Sequence, residues 1–250
     1  MMFRIIWALY LRAVIGLKSD VGRIIEAVLE PLMFFVIWGM LYRSGIIESQ
    51  VAEQFLLVNL IWAASSSLQK QASLSIMYDF WSKEFAELLR VGVSARDYLS
   101  AMLLFGLSAG IVSLLLYVLF APILFGIEWE RLQRLVWALP IYSLSALAIS
   151  CLGAAVVLRF SQLYGFMAGT LLQLCVIISS PFVPPEKLPF WWRTISQFFP
   201  FTAVFEFGRS GDFDYLIRGI WISAAWLVLG VTAYFAMFAH ALREGKLARV

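Results

Sequence analysis

Residues 98–125 read YLSAMLLFGLSAGIVSLLLYVLFAPILF. These 28 residues include no Asp, Glu, Lys, Arg or His. About 20 consecutive apolar residues suffice for a helix to cross hydrocarbon, so this run is long enough to span a bilayer. Five more stretches read the same way, at about residues 24–42, 55–74, 135–158, 163–183 and 215–241. None shows the apolar–polar alternation of a membrane barrel strand. The predicted fold is therefore an all-α integral membrane protein with six transmembrane helices in one domain over residues 1–250.

The rest of the composition agrees. Hydrophobic residues make up 62% of the 250-residue chain and charged ones 14%, against about 45–50% and 25% in soluble domains. A water-soluble fold has too little interior to hide that much apolar surface. The net charge of +3 comes without a basic stripe, which excludes a nucleic-acid partner. Cys151 and Cys175 both lie inside apolar runs, so they read as small buried hydrophobes rather than as a disulfide.

Lys and Arg placement orients the chain. Six spans put Arg4, Arg12, Lys18, Arg23, Lys83, Arg90, Arg96, Arg159, Arg243, Lys246 and Arg249 on one side, eleven in all, against seven on the other. The excess marks the cytoplasmic side, and places both termini there, in the plasma membrane. Before the first span, residues 3–20 form an amphipathic pattern. Arg4, Arg12 and Lys18 share one arc and Ile6, Tyr10, Ala13, Val14 and Leu17 the other. This predicts an interfacial helix with its basic side towards lipid headgroups.

The segment before the last span is broken. Pro181, Pro184, Pro185, Pro189 and Pro200 fall within 20 residues, and proline inside a helix removes a backbone donor and clashes with the preceding turn. Yet Phe190, Trp191, Trp192, Phe198 and Phe199 are too apolar for an ordinary solvated loop. A re-entrant segment over residues 184–205, dipping into the membrane without crossing it, satisfies both facts.

Catalysis finds little support. His240 is the single histidine and has no cysteine near it in sequence, which leaves no metal set. The one Gly-Lys pair, Gly245–Lys246, is followed by Leu247, so the phosphate-binding loop G-x-x-x-x-G-K-[ST] is missing. No catalytic, cofactor-binding or metal residue is assigned. Polar groups inside the spans are the alternatives: Glu26, Glu30 and Pro31 as a hinge or cation site, and Gln69 and Lys70 beside Ser65–Ser67 as a polar pathway.

Residues 78–96 read YDFWSKEFAELLRVGVSAR. Asp79 and Lys83, then Lys83 and Glu87, are opposite charges one turn apart. Phe85, Leu88 and Leu89 supply an apolar side. A short amphipathic helix is predicted in this cytoplasmic loop, with Asp79, Lys83, Glu84, Phe85, Glu87 and Leu88 as a docking element for a soluble partner.

These features resemble the permease subunits of ABC-2-type exporters. The resemblance rests on the basic N-terminal helix leading to Glu30-Pro31, on Lys83–Leu89 followed by Val91-Gly92-Val93-Ser94, on Leu188–Trp191 with Phe199–Thr202, and on Glu206 and Arg209. Such chains often carry Gly-Thr where Phe85-Ala86 stands here, Pro where Gly92 stands, and Asn where Phe199 stands. The resemblance implies a second permease chain forming a homodimer, and two ABC ATPase subunits that hold ATP and Mg. It also implies a translocation path for a hydrophobic or amphipathic cargo, such as a drug, lipid or lipid-linked glycan. The alternative is an ion-gradient-driven secondary transporter or channel using Glu26 and Glu30.

Overall fold

The computed structural model describes residues 2–46, 48–82, 84–160 and 165–244, and the regular elements among them are helical. In chain order these are α1 (Met2–Ser19), α2 (Val21–Ser44), α3 (Ser49–Trp81), α4 (Glu84–Arg90), α5 (Ala95–Phe125), α6 (Trp129–Phe160), α7 (Gly165–Ile178), α8 (Phe190–Ser196), α9 (Pro200–Ser210) and α10 (Phe213–Arg243). A 3-10 turn at Pro185–Lys187 separates α7 from α8.

Among the described residues, four helices are long and apolar enough to cross a bilayer: Val51–Asp79 in α3, all of α5, Leu132–Phe160 in α6, and all of α10. They coincide with the expected second, third, fourth and sixth spans. Over the expected first span, α2 has 24 residues, of which Leu32–Ser44 form an apolar helical stretch. Over the expected fifth, α7 stops at Ile178, short of Val183. Ser180 there has left-handed backbone, φ 57°, immediately before Pro181, and a residue preceding proline is pushed out of the helical region.

Burial separates inner from outer helices. In α6 and α3, 78% and 72% of the apolar window is covered, against 33% in α5 and 22% in α10. The pair α3 and α6 is thus central, with α5 laid against α3 and α10 against α6. Close approach of α5 to α3 depends on Gly106 and Gly110. A Cβ on Gly106 would sit 2.5 Å from the Leu68 carbonyl oxygen, and one on Gly110 would sit 2.9 Å from the Leu68 Cβ. Gly106-Leu-Ser-Ala-Gly110 is the small-residue spacing that lets membrane helices touch backbone to backbone. On the other side, the hydroxyls of Ser145 in α6 and Ser223 in α10 meet at 2.9 Å.

Two apolar clusters occupy the two ends of the bundle. One gathers Phe35, Leu60, Tyr117, Tyr142, Phe201 and Phe205. The other gathers Leu9, Phe85, Tyr98, Phe105, Tyr234 and Phe238. Between them α3 is polar and buried, with Ser65, Ser66, Ser67, Gln69, Lys70, Gln71, Ser73 and Ser75 all under 10% exposed.

The N-terminal helix differs from expectation. Leu9 and Ala13 are buried in the cluster shared with Phe105 of α5, while Phe3, Trp7, Leu11 and Ile15 form an exposed apolar stripe. Arg12 does not join Arg4 and Lys18 on the exposed arc. Its guanidinium turns inwards, because two carboxylates wait there.

Candidate functional site

The predicted docking element is not one helix. Asp79 belongs to the last turn of α3, and α4 is a separate seven-residue helix beginning at Glu84. Lys83 lies outside the described residues. At its other end α4 closes through a left-handed Gly92, φ 85°, with the Gly92 N–H donating to the Leu89 carbonyl and the Val93 N–H to the Leu88 carbonyl. This double closure satisfies carbonyls that a helix end leaves open. Ser94 then caps α5: its hydroxyl accepts from the Asp97 N–H at 3.1 Å and donates to the Asp97 carboxylate at 2.7 Å.

Arg12 ties three helices together. From α1 it pairs with Asp79 at the end of α3 and, at 2.7 Å, with Glu84 at the start of α4. The Tyr98 hydroxyl, from the first turn of α5, donates to the same Asp79 carboxylate at 2.5 Å. Asp79 is 7% exposed, and a carboxylate that deep needs a countercharge. Arg12 suits the position, since its forked guanidinium reaches two carboxylates at once.

Phe85 corrects the expectation that it projects towards a partner. It is 3% exposed and in edge contact with both Tyr98 at 4.9 Å and Phe238 of α10 at 6.1 Å. Leu88 is half-buried against the same cluster. The apolar side of α4 is therefore consumed by its own bundle. What α4 leaves outside is Glu84, Glu87, Arg90 and then Val91, with Arg90 paired to Glu87 at 2.5 Å. A rigid motion of α4 would pass through Phe85 into α5 and α10, and through Glu84 into α1.

A model of ABC-2 type transporters matches residues 4–213. The chain belongs to that family. No curated protein sequence matches it. As an ABC-2 type permease it is a multi-pass, membrane-embedded component of an ABC transporter. Membership implies an ABC ATPase as its partner.

The permease has a second polar fastening, at the opposite apolar cluster. Arg209 of α9 pairs with Glu206 and donates to the Ser180 and Pro181 carbonyls at 2.6 and 2.9 Å. Burial pushes the Glu206 carboxyl up from its ordinary value, with Arg209 opposing and Glu186 assisting. Burial likewise lowers Arg209, against the pull of Glu206. Pro185, Pro189 and Pro200 stand at the starts of the 3-10 turn, α8 and α9, where a missing N–H costs least. Pro184 precedes the turn.

Among the remaining predicted positions, Gln69 and Lys70 lie in the buried polar middle of α3, away from both fastenings. Glu26, Glu30 and Pro31 are inside α2, and their side chains lie outside the described residues. Arg12 and Tyr98 were not predicted as a site. Periodicity places Arg12 in a basic arc, which reads the same whether the countercharge is a lipid or a distant carboxylate. The Gly106-x-x-x-Gly110 spacing is the sequence signal of the α5–α3 contact.

Proposed function

We propose that this chain is the permease of an ATP-driven exporter that crosses the membrane six times with both termini in the cytoplasm. Two copies form the path, and two ATPase subunits that bind ATP and Mg dock on the face formed by α1, α4 and the start of α5. The observation that carries this reading is the Arg12 clasp: one guanidinium joins the interfacial helix, the inner helix α3 and the exposed helix α4. A push on α4 then reaches all of them together. ATP binding biases the bundle only if the partner binds one conformation better than another. The contact surface is the Glu87–Arg90–Val91 side of α4, and the buried Phe85 transmits rather than docks.

The segment after α7 is proposed to re-enter the membrane. Backbone at that depth must be covered by protein. Side chains supply the cover: Gln54 donates to Pro181 and Phe182 carbonyls at 3.4 Å, Thr202 to Ser196 at 2.5 Å, and Trp226 to Phe198 at 2.8 Å. A hydrophobic or amphipathic cargo suits spans so poor in charge.

The test is reconstitution with the partner ATPase. Export and ATP hydrolysis are measured for wild type and Arg12→Gln. The expected result is that Arg12→Gln still recovers ATPase on purification but loses most of the export per ATP hydrolysed. Unchanged coupling in that variant would remove the clasp from the mechanism, and failure of wild type to retain any ATPase would sink the whole reading.

A further inference from the structure

A cavity of about 280 Å3 lies between α2, α3 and α7. Its walls are mainly aromatic and aliphatic, with two amides among them, Asn59 of α3 and Gln173 of α7. Trp38, Phe55 and Phe182 form a continuous stack with centroid spacings of 4.6 and 4.3 Å, and Phe34 meets Trp62 edge-on at 5.3 Å. No ionisable side chain is among the described lining residues. Into this apolar space α3 places Asn59. It is 6% exposed, and its Nδ2 has no hydrogen-bond partner. An unpaired buried amide is costly, and such a group in a native structure calls for an explanation.

We propose that this cavity binds uncharged, ring-bearing apolar molecules that present a hydrogen-bond acceptor to Asn59, and that they are cargo of the permease. The cargo role rests on the exporter reading above; the binding does not. Charge is excluded because an ion brought here loses its hydration without gaining a counter-ion. A ring is favoured because the Trp38–Phe55–Phe182 stack offers flat faces for offset stacking. An acceptor is favoured because it would pair with the Asn59 donor. The volume stands at the lower end of ligand pockets, about 300–1,000 Å3, so it holds one ring system or one end of a longer molecule. Phe34 and Phe182 on the rim are 39% and 43% exposed, which leaves the cavity reachable from the membrane side of α2 and α7.

The experiment uses the full-length permease in lipid nanodiscs, without ATPase or ATP. Two photoreactive probes are compared, both uncharged and aromatic. Benzophenone carries a carbonyl acceptor; 3-trifluoromethyl-3-phenyldiazirine does not. Adducts are mapped by mass spectrometry. The expected result is saturable benzophenone labelling on residues 34–62 and 173–182, with half-saturation raised about tenfold by Asn59→Leu. Diazirine labelling at the same residues should be unchanged in that variant. Labelling that rises without saturation overturns the proposal. So does an unchanged benzophenone half-saturation, an equal shift of both probes, or a variant whose sole change is lost pairing between permease copies. Should Asn59→Leu fail to fold, Phe182→Ala decides, since it removes the outer ring of the stack and must weaken both probes. Because no nucleotide enters the assay, saturable labelling in a chain that never retains an ATPase would sink the exporter reading and leave the site standing.

Discussion

Phe85 and Tyr98 meet edge to face, their ring planes at 88° and centroids 4.9 Å apart. The contact joins a seven-residue surface helix to the first turn of a 31-residue apolar one. The Tyr98 hydroxyl is held at the same time by Asp79, which Arg12 also grips. Packing and charge thus converge on one side chain, and the first turn of α4 is anchored both by Phe85 and by Glu84.

Phe85→Ala is expected to lower the stability of the permease by itself, with no partner present. Truncating a buried Phe costs about 3–5 kcal/mol in soluble cores. Thermal unfolding followed by size-exclusion recovery in detergent is the measurement, with Glu87→Ala as the exposed control. Equal recovery of the two variants would return Phe85 to the role of an interface residue.

Arg12→Lys should be an intermediate case between wild type and Arg12→Gln. A lysine is a point charge and cannot fork between Asp79 and Glu84. Pairing Arg12→Gln with Asp79→Asn should recover part of the lost stability, because it removes the stranded carboxylate. A double variant no more stable than Arg12→Gln alone would argue against direct pairing.

Gly106→Ala should destabilise the α3–α5 contact, since the new methyl meets the Leu68 carbonyl oxygen at 2.5 Å. Overpacking of this kind costs about 1–3 kcal/mol. Gly208→Ala is the control, as nothing lies within 4 Å of its Cβ position. Indistinguishable unfolding midpoints for the two would show that α5 can move away at no cost.

Arg209→Ala should make stability depend on pH in a definite direction. Burial already raises Glu206, and Arg209 is the main influence holding it down. Without Arg209 its folded value rises further above the ordinary 4.5. The folded state then binds the proton more tightly than the unfolded one, so stability is greatest at acid pH and falls as pH rises through the folded value. The variant is expected to have a higher unfolding midpoint at about pH 5 than at about pH 8, and more so than wild type. The opposite slope, checked by unfolding at both values, would show that Glu206 is not buried when unpaired.

Topology is checked with single cysteines at Ser49 and Ser94, treated with an impermeant thiol reagent on intact cells. Ser49 opens α3 and Ser94 caps α5, and the Lys and Arg bias places the first outside and the second inside. Labelling of Ser49 alone is expected, and labelling of Ser94 alone would invert the orientation.

The sequence by itself settled the helical membrane architecture, because apolar length and proline breaks are local properties. A charge-free run such as 98–125 needs no partner to be read, and Pro189 and Pro200 mark helix starts wherever the segment packs. It also located α4, whose charge spacing and apolar side are local too. Only the tertiary structure decided what each face meets. An amphipathic period announces that Phe85 is covered but not whether a partner or its own bundle covers it. A basic arc announces that Arg12 seeks negative charge but cannot separate a headgroup from Glu84, 72 positions along the chain. The unpaired amide of Asn59 was equally hidden. Hydrogen-bond satisfaction depends on neighbours brought together by folding, and a lone amide between Val58 and Leu60 reads the same whether or not a partner reaches it.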